Sequence, residues 1–157
     1  MPHPERFTSE RAVEIVAEHA DREGALLPVL HALQHAFGYI PSEAVPIVAG
    51  ALNLSRAEVH GVATFYHDFR SKPAGRRVLK LCRAEACQSR GGDALVARAE
   101  QRLGVKMGET TADDQVTLEP IFCLGLCASG PSAMLDGRLV GRLDDARLDN
   151  LIAEARS

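Results

Sequence analysis

The sequence predicts a mixed α and β protein, in which an N-terminal helical bundle is followed by a domain with a small mixed sheet. Up to residue 69, apolar residues recur at intervals of three and four, the period of amphipathic helices. Beyond residue 76 they occur in short runs bounded by turn residues, which is typical of strands. Residues 71–75, Ser-Lys-Pro-Ala-Gly, have the composition of a linker. We therefore predict two domains, residues 1–72 and residues 76–157.

Four helices are predicted in the N-terminal domain. The third begins at Ser42, which follows a break at residues 38–41 and can cap the helix, and it continues to about Leu52. The fourth begins at Ser55, because Ser55 and Glu58 have the spacing of a capping box. The first two helices are indicated by apolar stripes, which are Val13, Val16, Ala17 and Ala20 in the first and Leu26, Val29, Leu30 and Leu33 in the second.

The C-terminal domain has the predicted order strand, helix, strand, strand, strand, helix. A strand at 77–82, a helix at 93–103 and a strand at 116–123 form a crossover unit, so the two strands should be parallel. A hairpin with Asp136-Gly137 at its turn follows, and apolar residues at helical spacing after residue 147 indicate a closing helix. This order is the layout of the core thioredoxin fold.

Composition and charge exclude several classes of protein. The chain has 157 residues, of which 46% are hydrophobic and 25% charged, the composition of a folded globular protein. Its net charge of −3 argues against a chain-wide basic surface for nucleic acid. The apolar stretches are shorter than the roughly 20 residues that span a bilayer, and the N-terminus lacks a secretory signal pattern. We therefore expect a cytoplasmic protein with no nucleic-acid partner and no direct membrane contact.

Four cysteines carry the main functional signal. Cys82 and Cys87 are separated by four residues and Cys123 and Cys127 by three, whereas a thioredoxin dithiol and the common zinc modules use Cys-x-x-Cys. Cys82 and Cys123 each end a predicted strand, and the carboxyl ends of parallel strands lie at one edge of a sheet. Two thiolate pairs meeting there can hold a [2Fe-2S] cluster, with one pair for each iron. A structural zinc module and four unrelated buried thiols are the alternatives.

The cysteine motifs resemble those of a known family. Residues 82–87 (Cys-Arg-Ala-Glu-Ala-Cys) and 123–127 (Cys-Leu-Gly-Leu-Cys), with 61–66 (Gly-Val-Ala-Thr-Phe-Tyr) upstream, resemble the thioredoxin-like [2Fe-2S] subunit of NADH dehydrogenases. This is the family of the 24 kDa subunit of respiratory complex I, which includes gamma subunits of NAD-dependent formate dehydrogenases and diaphorase subunits of NAD-linked hydrogenases. The resemblance implies that one [2Fe-2S] cluster is ligated by Cys82, Cys87, Cys123 and Cys127.

Residues near the cysteines favour one subgroup of this family. Ala84-Glu85 stands where respiratory members usually have Gly-Thr, and residues 83–86 are more similar to the formate dehydrogenase gamma subunit. The resemblance implies a non-catalytic electron-transfer subunit of a cytoplasmic NAD-dependent formate dehydrogenase. The equivalent subunit of respiratory NADH:quinone oxidoreductase or of NAD-linked hydrogenase is the alternative. Because the chain has neither a Gly-x-Gly-x-x-Gly motif nor a P-loop, FMN and NAD are expected on a partner subunit, which links this chain to the catalytic subunit.

Three further expectations concern the surroundings of the site. Phe65 and Phe69, four residues apart, are predicted to form an exposed pair that a partner covers. Pro131 stands where thioredoxin-like folds often hold a cis-proline. Near the first cysteine pair, a positive field that favours the reduced cluster is predicted from basic residues that outnumber Glu85, with a solvated basic loop as the alternative: Arg70, Lys72, Arg76, Arg77, Lys80, Arg83 and Arg90.

Overall fold

A computed structural model describes residues 4–157 of the chain. The chain divides between Pro73 and Ala74 into two compact units, each with its own hydrophobic core. Among the described residues, no helix combines the length and the apolar character that crossing a bilayer requires.

The first unit consists of four helices. They are α1 (Ser9–Ala17), α2 (Leu26–Phe37), α3 (Ala44–Leu52) and α4 (Arg56–Phe65). Helices α1 and α3 pack against each other, and α2 contacts the other three. The largest fully buried side chains of this core come mostly from α2, with one from each of the other helices. They are Val29, Leu30, Leu33 and Phe37 on α2, and Val16, Val48 and Val59 on α1, α3 and α4.

The predicted stripe on α1 is wrong by one position. Ala12, Ile15 and Val16 are buried, whereas Val13 is exposed and Ala20 lies beyond the end of the helix. Both sets of residues have helical spacing, so the pattern alone fits either face. The contacts of α1 with α2 and α3 determine which face is buried.

The two predicted helix caps have opposite outcomes. At α4 the capping box is confirmed: Ser55 Oγ accepts a hydrogen bond from the Glu58 N–H at 3.2 Å, and the Glu58 carboxylate accepts one from the Ser55 N–H at 2.8 Å. At α3 the predicted Ser42 cap is wrong, because the helix begins at Ala44 and Ser42 Oγ lies 3.0 Å from the Glu43 carboxylate.

The predicted exposed pair of Phe65 and Phe69 is also wrong. Helix α4 ends at Phe65, so the helical spacing of four does not carry over to Phe69. Phe69 is only 9% exposed, and its ring lies 4.8 Å from that of His31. Phe65 is 74% exposed and forms an edge-to-face pair with the exposed Tyr66, with ring centroids 5.1 Å apart. The exposed aromatic pair of this unit is therefore Phe65 and Tyr66.

The second unit contains the predicted mixed sheet. Its strands are β1 (Arg77–Cys82), β2 (Val116–Ile121), β3 (Ala133–Leu135) and β4 (Arg138–Val140), in the spatial order β2-β1-β3-β4. Strands β1 and β2 are parallel, as predicted, and β3 runs antiparallel to both β1 and β4.

The predicted hairpin turn between β3 and β4 is confirmed. Asp136 and Gly137 both have positive φ, at 48° and 88°, as a type I′ turn requires. The Asp136 carboxylate also accepts a hydrogen bond from the Val78 N–H at 2.8 Å and pairs with the Arg77 guanidinium. The turn is thereby fixed to the first residues of β1.

Three α-helices and one short 3-10 helix complete the second unit: α5 (Glu85–Gln88), α6 (Gly92–Leu103), α7 (Asp145–Ala155) and the 3-10 helix Cys127–Ser129. Helices α6 and α7 contact each other, and two nitrogens of Arg98 bind the Asp149 carboxylate at 2.7 and 3.0 Å. Their apolar residues share one core with the sheet: Leu79, Leu95, Ala99, Leu118, Leu148 and Leu151.

Candidate metal centre

The two chain segments that carry the cysteines leave the sheet side by side. Cys82 is the last residue of β1 and is paired in register with Ile121, the last residue of β2. The Arg83 N–H donates to the Ile121 carbonyl at 2.7 Å, so the strands remain joined just beyond their ends. The expectation that Cys123 ends β2 is wrong by two residues. Cys123 has φ of 79°, which a strand cannot accommodate, and the chain turns there.

The first pair, Cys82 and Cys87, is buried. Cys82 is 4% exposed and Cys87 1% exposed. Cys87 lies on the short helix α5, and its N–H donates to the Ala84 carbonyl at 2.9 Å. Gly92 makes this packing possible, since a Cβ there would lie 2.6 Å from the Cys87 carbonyl oxygen.

The second pair, Cys123 and Cys127, is exposed, and its two sulfurs lie 3.6 Å apart. The Gly125 N–H between them points to the Cys123 sulfur at 3.4 Å. Gly125 has φ of 75°, a conformation that glycine adopts without the steric cost of a Cβ. The loop residues therefore bring both sulfurs to one place and supply a backbone donor to one of them.

The two pairs affect each other's pKa values. Burial acts to raise the pKa of Cys82, but hydrogen bonds from the Ala84 N–H, the Cys87 thiol and the N–H groups of Cys123 and Leu124 outweigh it and lower that pKa. The pKa of Cys127 is raised, first by its hydrogen bond with Cys123 and then by the negative charge of Cys123, with smaller effects of burial and of the other two cysteines. A Cβ at Gly130 would lie 3.3 Å from the Cys87 sulfur and 3.5 Å from the Cys127 carbonyl oxygen, so the segments that carry the two pairs of predicted ligands lie side by side.

The arrangement fits a [2Fe-2S] cluster in its chemistry. Each iron of such a cluster takes two thiolates, and the sulfurs here form two pairs with backbone N–H donors directed at them. Within residues 4–157, no three histidine, cysteine or acidic side chains are grouped around one point as ligands of a single metal ion. Gly130 leaves room beside the site, because a Cβ there would lie 3.3 Å from the Cys87 sulfur.

Ser132 contacts both buried cysteines, and the sequence motifs do not single it out. Its side chain is directed to Cys87, with Oγ 3.6 Å from Sγ, and its carbonyl accepts the Cys82 N–H at 3.0 Å. The residue is 2% exposed. It follows the Gly130-Pro131 peptide bond, which is cis as predicted. Pro131 is the sequence feature that could have pointed to Ser132, because it marks the segment that passes beside the first cysteine pair.

The predicted positive field is weaker than the count of basic residues indicates. Arg77 lies at the opposite end of β1 from Cys82. The Nε atom of Arg83 is buried and has no hydrogen-bond partner among residues 4–157. Several of these basic residues pair with carboxylates, among them Arg77 with Asp136, Lys80 with Glu119 at 3.4 Å, and Arg83 with Asp93 at 3.3 Å. Arg83 is the basic residue adjacent to a predicted ligand.

Comparison with known proteins gives one family. The pattern of the family described as thioredoxin-like [2Fe-2S] ferredoxin matches residues 12–156. An NADH-quinone oxidoreductase subunit of Rhizobium meliloti is 38% identical over 141 residues, covering 90% of this chain and 84% of its own. The HndA subunit of an NADP-reducing hydrogenase of Solidesulfovibrio fructosivorans is 30% identical over 142 residues. The match covers 90% of this chain and 83% of HndA.

A solved structure is similar over most of the chain. The crystal structure of an NAD+-reducing [NiFe]-hydrogenase in the air-oxidized state superposes with a TM-score of 0.71 and 28% identity. The match covers 83% of this chain but only 22% of that hydrogenase chain. The similarity therefore concerns one part of a longer polypeptide.

Proposed function

Because the chain belongs to the thioredoxin-like [2Fe-2S] ferredoxin family, we propose that it is an electron-transfer subunit whose cluster is held by the four cysteines: Cys82, Cys87, Cys123 and Cys127. The observation that carries this assignment is the meeting of a buried and an exposed cysteine pair beyond the parallel strands. When bound, the cluster accepts and donates single electrons.

The chain's own residues hold the sulfurs and determine their surroundings. Hydrogen bonding by the backbone N–H groups of Ala84, Cys123 and Leu124 lowers the pKa of Cys82, and the Gly125 N–H points to the sulfur of Cys123. Such donors stabilise negative charge on sulfur and so influence the reduction potential. The exposed position of Cys123 and Cys127 leaves that side of the site open to a redox partner.

The partner we propose is a flavin- and NAD-binding subunit of the same complex. The relatives are subunits of an NADH-quinone oxidoreductase and of an NADP-reducing hydrogenase, and the similar solved structure is an NAD+-reducing hydrogenase. This chain lacks the glycine-rich dinucleotide motif, in keeping with hydride chemistry on another subunit. Residues 1–72 then act as an assembly domain and residues 76–157 as the cluster domain.

At the finer level we propose an NAD-dependent formate dehydrogenase in the cytoplasm, without direct membrane contact. The support is the Arg-Ala-Glu-Ala sequence at residues 83–86. The named relatives support the alternative, a subunit of NADH-quinone oxidoreductase or of a hydrogenase. Because quinones are dissolved in the bilayer, a quinone-reducing complex should be found with the membrane fraction, whereas a formate dehydrogenase of this kind should be in the soluble fraction.

The cluster is tested by replacing each of the four cysteines singly with serine. A hydroxyl is a poor substitute for a soft thiolate, so each change should remove most of the iron, the acid-labile sulfide and the electron paramagnetic resonance (EPR) signal of the reduced protein. Ser89→Ala is the control, since the Ser89 hydroxyl donates to the Ala86 carbonyl at 3.1 Å rather than to a sulfur. A cysteine whose replacement leaves iron and signal intact is not a ligand. A wild-type protein that is colourless and contains zinc would overturn the proposal of an iron–sulfur cluster.

The complex is tested by isolating it through an affinity tag on this chain. Formate, NADH and hydrogen are then added separately, and reduction of the cluster is followed by EPR. Formate-dependent reduction in a soluble complex supports the finer proposal. Reduction by hydrogen, or by NADH alone in a membrane-bound complex, assigns the chain to the alternative.

A further inference from the structure

We propose that the Ser132 hydroxyl donates a hydrogen bond to the Cys87 sulfur and raises the reduction potential of the cluster. The inference rests on the proposed function, since it concerns the behaviour of Cys87 as a cluster ligand. It assigns a tuning role to a side chain outside the cysteine motifs.

The geometry limits the partners available to this hydroxyl. Ser132 is 2% exposed, and the Cys87 sulfur lies 3.6 Å from its Oγ, within the range of a hydrogen bond to sulfur. The Ser132 carbonyl is occupied by the Cys82 N–H at 3.0 Å, which fixes the residue beside the first pair. A buried hydroxyl normally has a hydrogen-bond partner, and among residues 4–157 that partner is the Cys87 sulfur.

Metal binding determines the direction of this hydrogen bond. In the metal-free protein either the thiol or the hydroxyl can donate. A cysteine that ligates iron has lost its proton, so the Cys87 sulfur can then only accept and the Ser132 hydroxyl must donate. The hydroxyl is thus an oriented donor toward a ligand sulfur in the loaded protein.

The hydrogen bond should favour the reduced state over the oxidised state. Reduction adds one negative charge to the cluster and its sulfurs, and a hydrogen bond to a more highly charged acceptor is stronger. Because Cys87 is 1% exposed, water does not replace the donor when it is lost. Removing the hydroxyl should therefore make the cluster harder to reduce.

The experiment compares cluster potentials in the full chain by EPR-monitored redox titration. Ser132→Ala should lower the equilibrium constant for reduction by a factor of about three to ten, where tenfold corresponds to about 59 mV for one electron. Ser129→Ala is the matched control, because the Ser129 hydroxyl donates to the Leu126 carbonyl at 3.4 Å and not to a sulfur. Its potential should equal that of the wild type.

A second pair of variants separates the hydrogen bond from the shape of the side chain. Ser132→Thr and Ser132→Val have nearly the same volume and differ in the hydroxyl, so Thr should have the higher potential. Equal potentials for Thr and Val, or an unchanged potential in Ser132→Ala, overturn the tuning role. Loss of the cluster from all three variants also overturns it and makes Ser132 structural. Absence of a cluster from the wild type instead refutes the proposed function.

Discussion

The sulfurs of Cys123 and Cys127 lie 3.6 Å apart at an exposed position, whereas Cys82 and Cys87, with which they interact, are almost completely buried. The sequence motifs do not distinguish the four cysteines from one another. The fold makes them two unlike pairs. One is enclosed by the α5 helix and the segment containing Ser132, and the other is exposed, with Cys127 at the start of a 3-10 helix.

This asymmetry predicts different reactivity of the thiols. In anaerobic, cluster-free protein, iodoacetamide should modify Cys123 and Cys127 faster than Cys82 and Cys87, by about tenfold or more. The buried thiols react only after local opening, and this outweighs the lowered pKa of Cys82 and the raised pKa of Cys127, which act in the opposite direction. Mass spectrometry of peptides gives the four rates. In urea-unfolded protein the difference should disappear. Equal rates in the folded protein would contradict the described burial.

A second prediction concerns charge near the site. Arg83 follows Cys82 directly, so Arg83→Gln should lower the reduction potential of the cluster by less than about 59 mV, a factor of ten in the equilibrium constant. The effect should be small because Arg83 is partly exposed and already pairs with Asp93. Arg77→Gln, at the far end of β1 and paired with Asp136, is the control and should leave the potential unchanged. Equal shifts in both variants would show that the distance of a positive charge from Cys82 does not determine its effect on the reduction potential.

Phe65 and Phe69 are predicted to have opposite roles. Phe65→Ala should change the free energy of unfolding by less than about 0.5 kcal/mol, because the side chain is 74% exposed. Phe69→Ala should destabilise the protein by about 3 to 5 kcal/mol, because it opens a cavity beside His31. Urea unfolding followed by circular dichroism measures both values.

The Phe65→Ala variant also tests the assembly role of the helical unit. If the exposed Phe65–Tyr66 pair contacts the partner subunit, Phe65→Ala should reduce co-purification of the complex while the cluster content stays normal. Full recovery of the complex with Phe65→Ala would remove this pair from the interface.

The helix caps give a fourth prediction. Ser55→Ala removes the capping box of α4 and should lower the free energy of unfolding by about 0.5 to 2 kcal/mol. Ser42→Ala should have little effect, since Ser42 does not cap α3 and its hydroxyl donates to the adjacent, exposed Glu43 carboxylate. Thermal and urea unfolding of the two variants provide the comparison. A larger loss from Ser42→Ala would contradict the observed start of α3.

The sequence was sufficient for features that depend on neighbouring residues. The β1 strand, the Asp136-Gly137 turn and the Ser55 capping box are local, and each occurs where it was predicted. The parallel pairing of β1 and β2 followed from the crossover between them. Because the site lies where these two strands end, the meeting of the four cysteines also followed from local patterns.

Tertiary packing decided the remaining features, because they depend on which surfaces meet. The buried face of α1, the burial of Phe69 and the burial of Cys87 depend on neighbouring elements to which the sequence pattern does not refer. The contact of Ser132 with Cys87 joins residues 45 positions apart, and it exists because β3 pairs with β1 and brings the preceding segment beside α5. The sequence by itself therefore determined the four candidate ligands, and only the fold determined that one pair is enclosed with a buried hydroxyl beside it while the other is exposed.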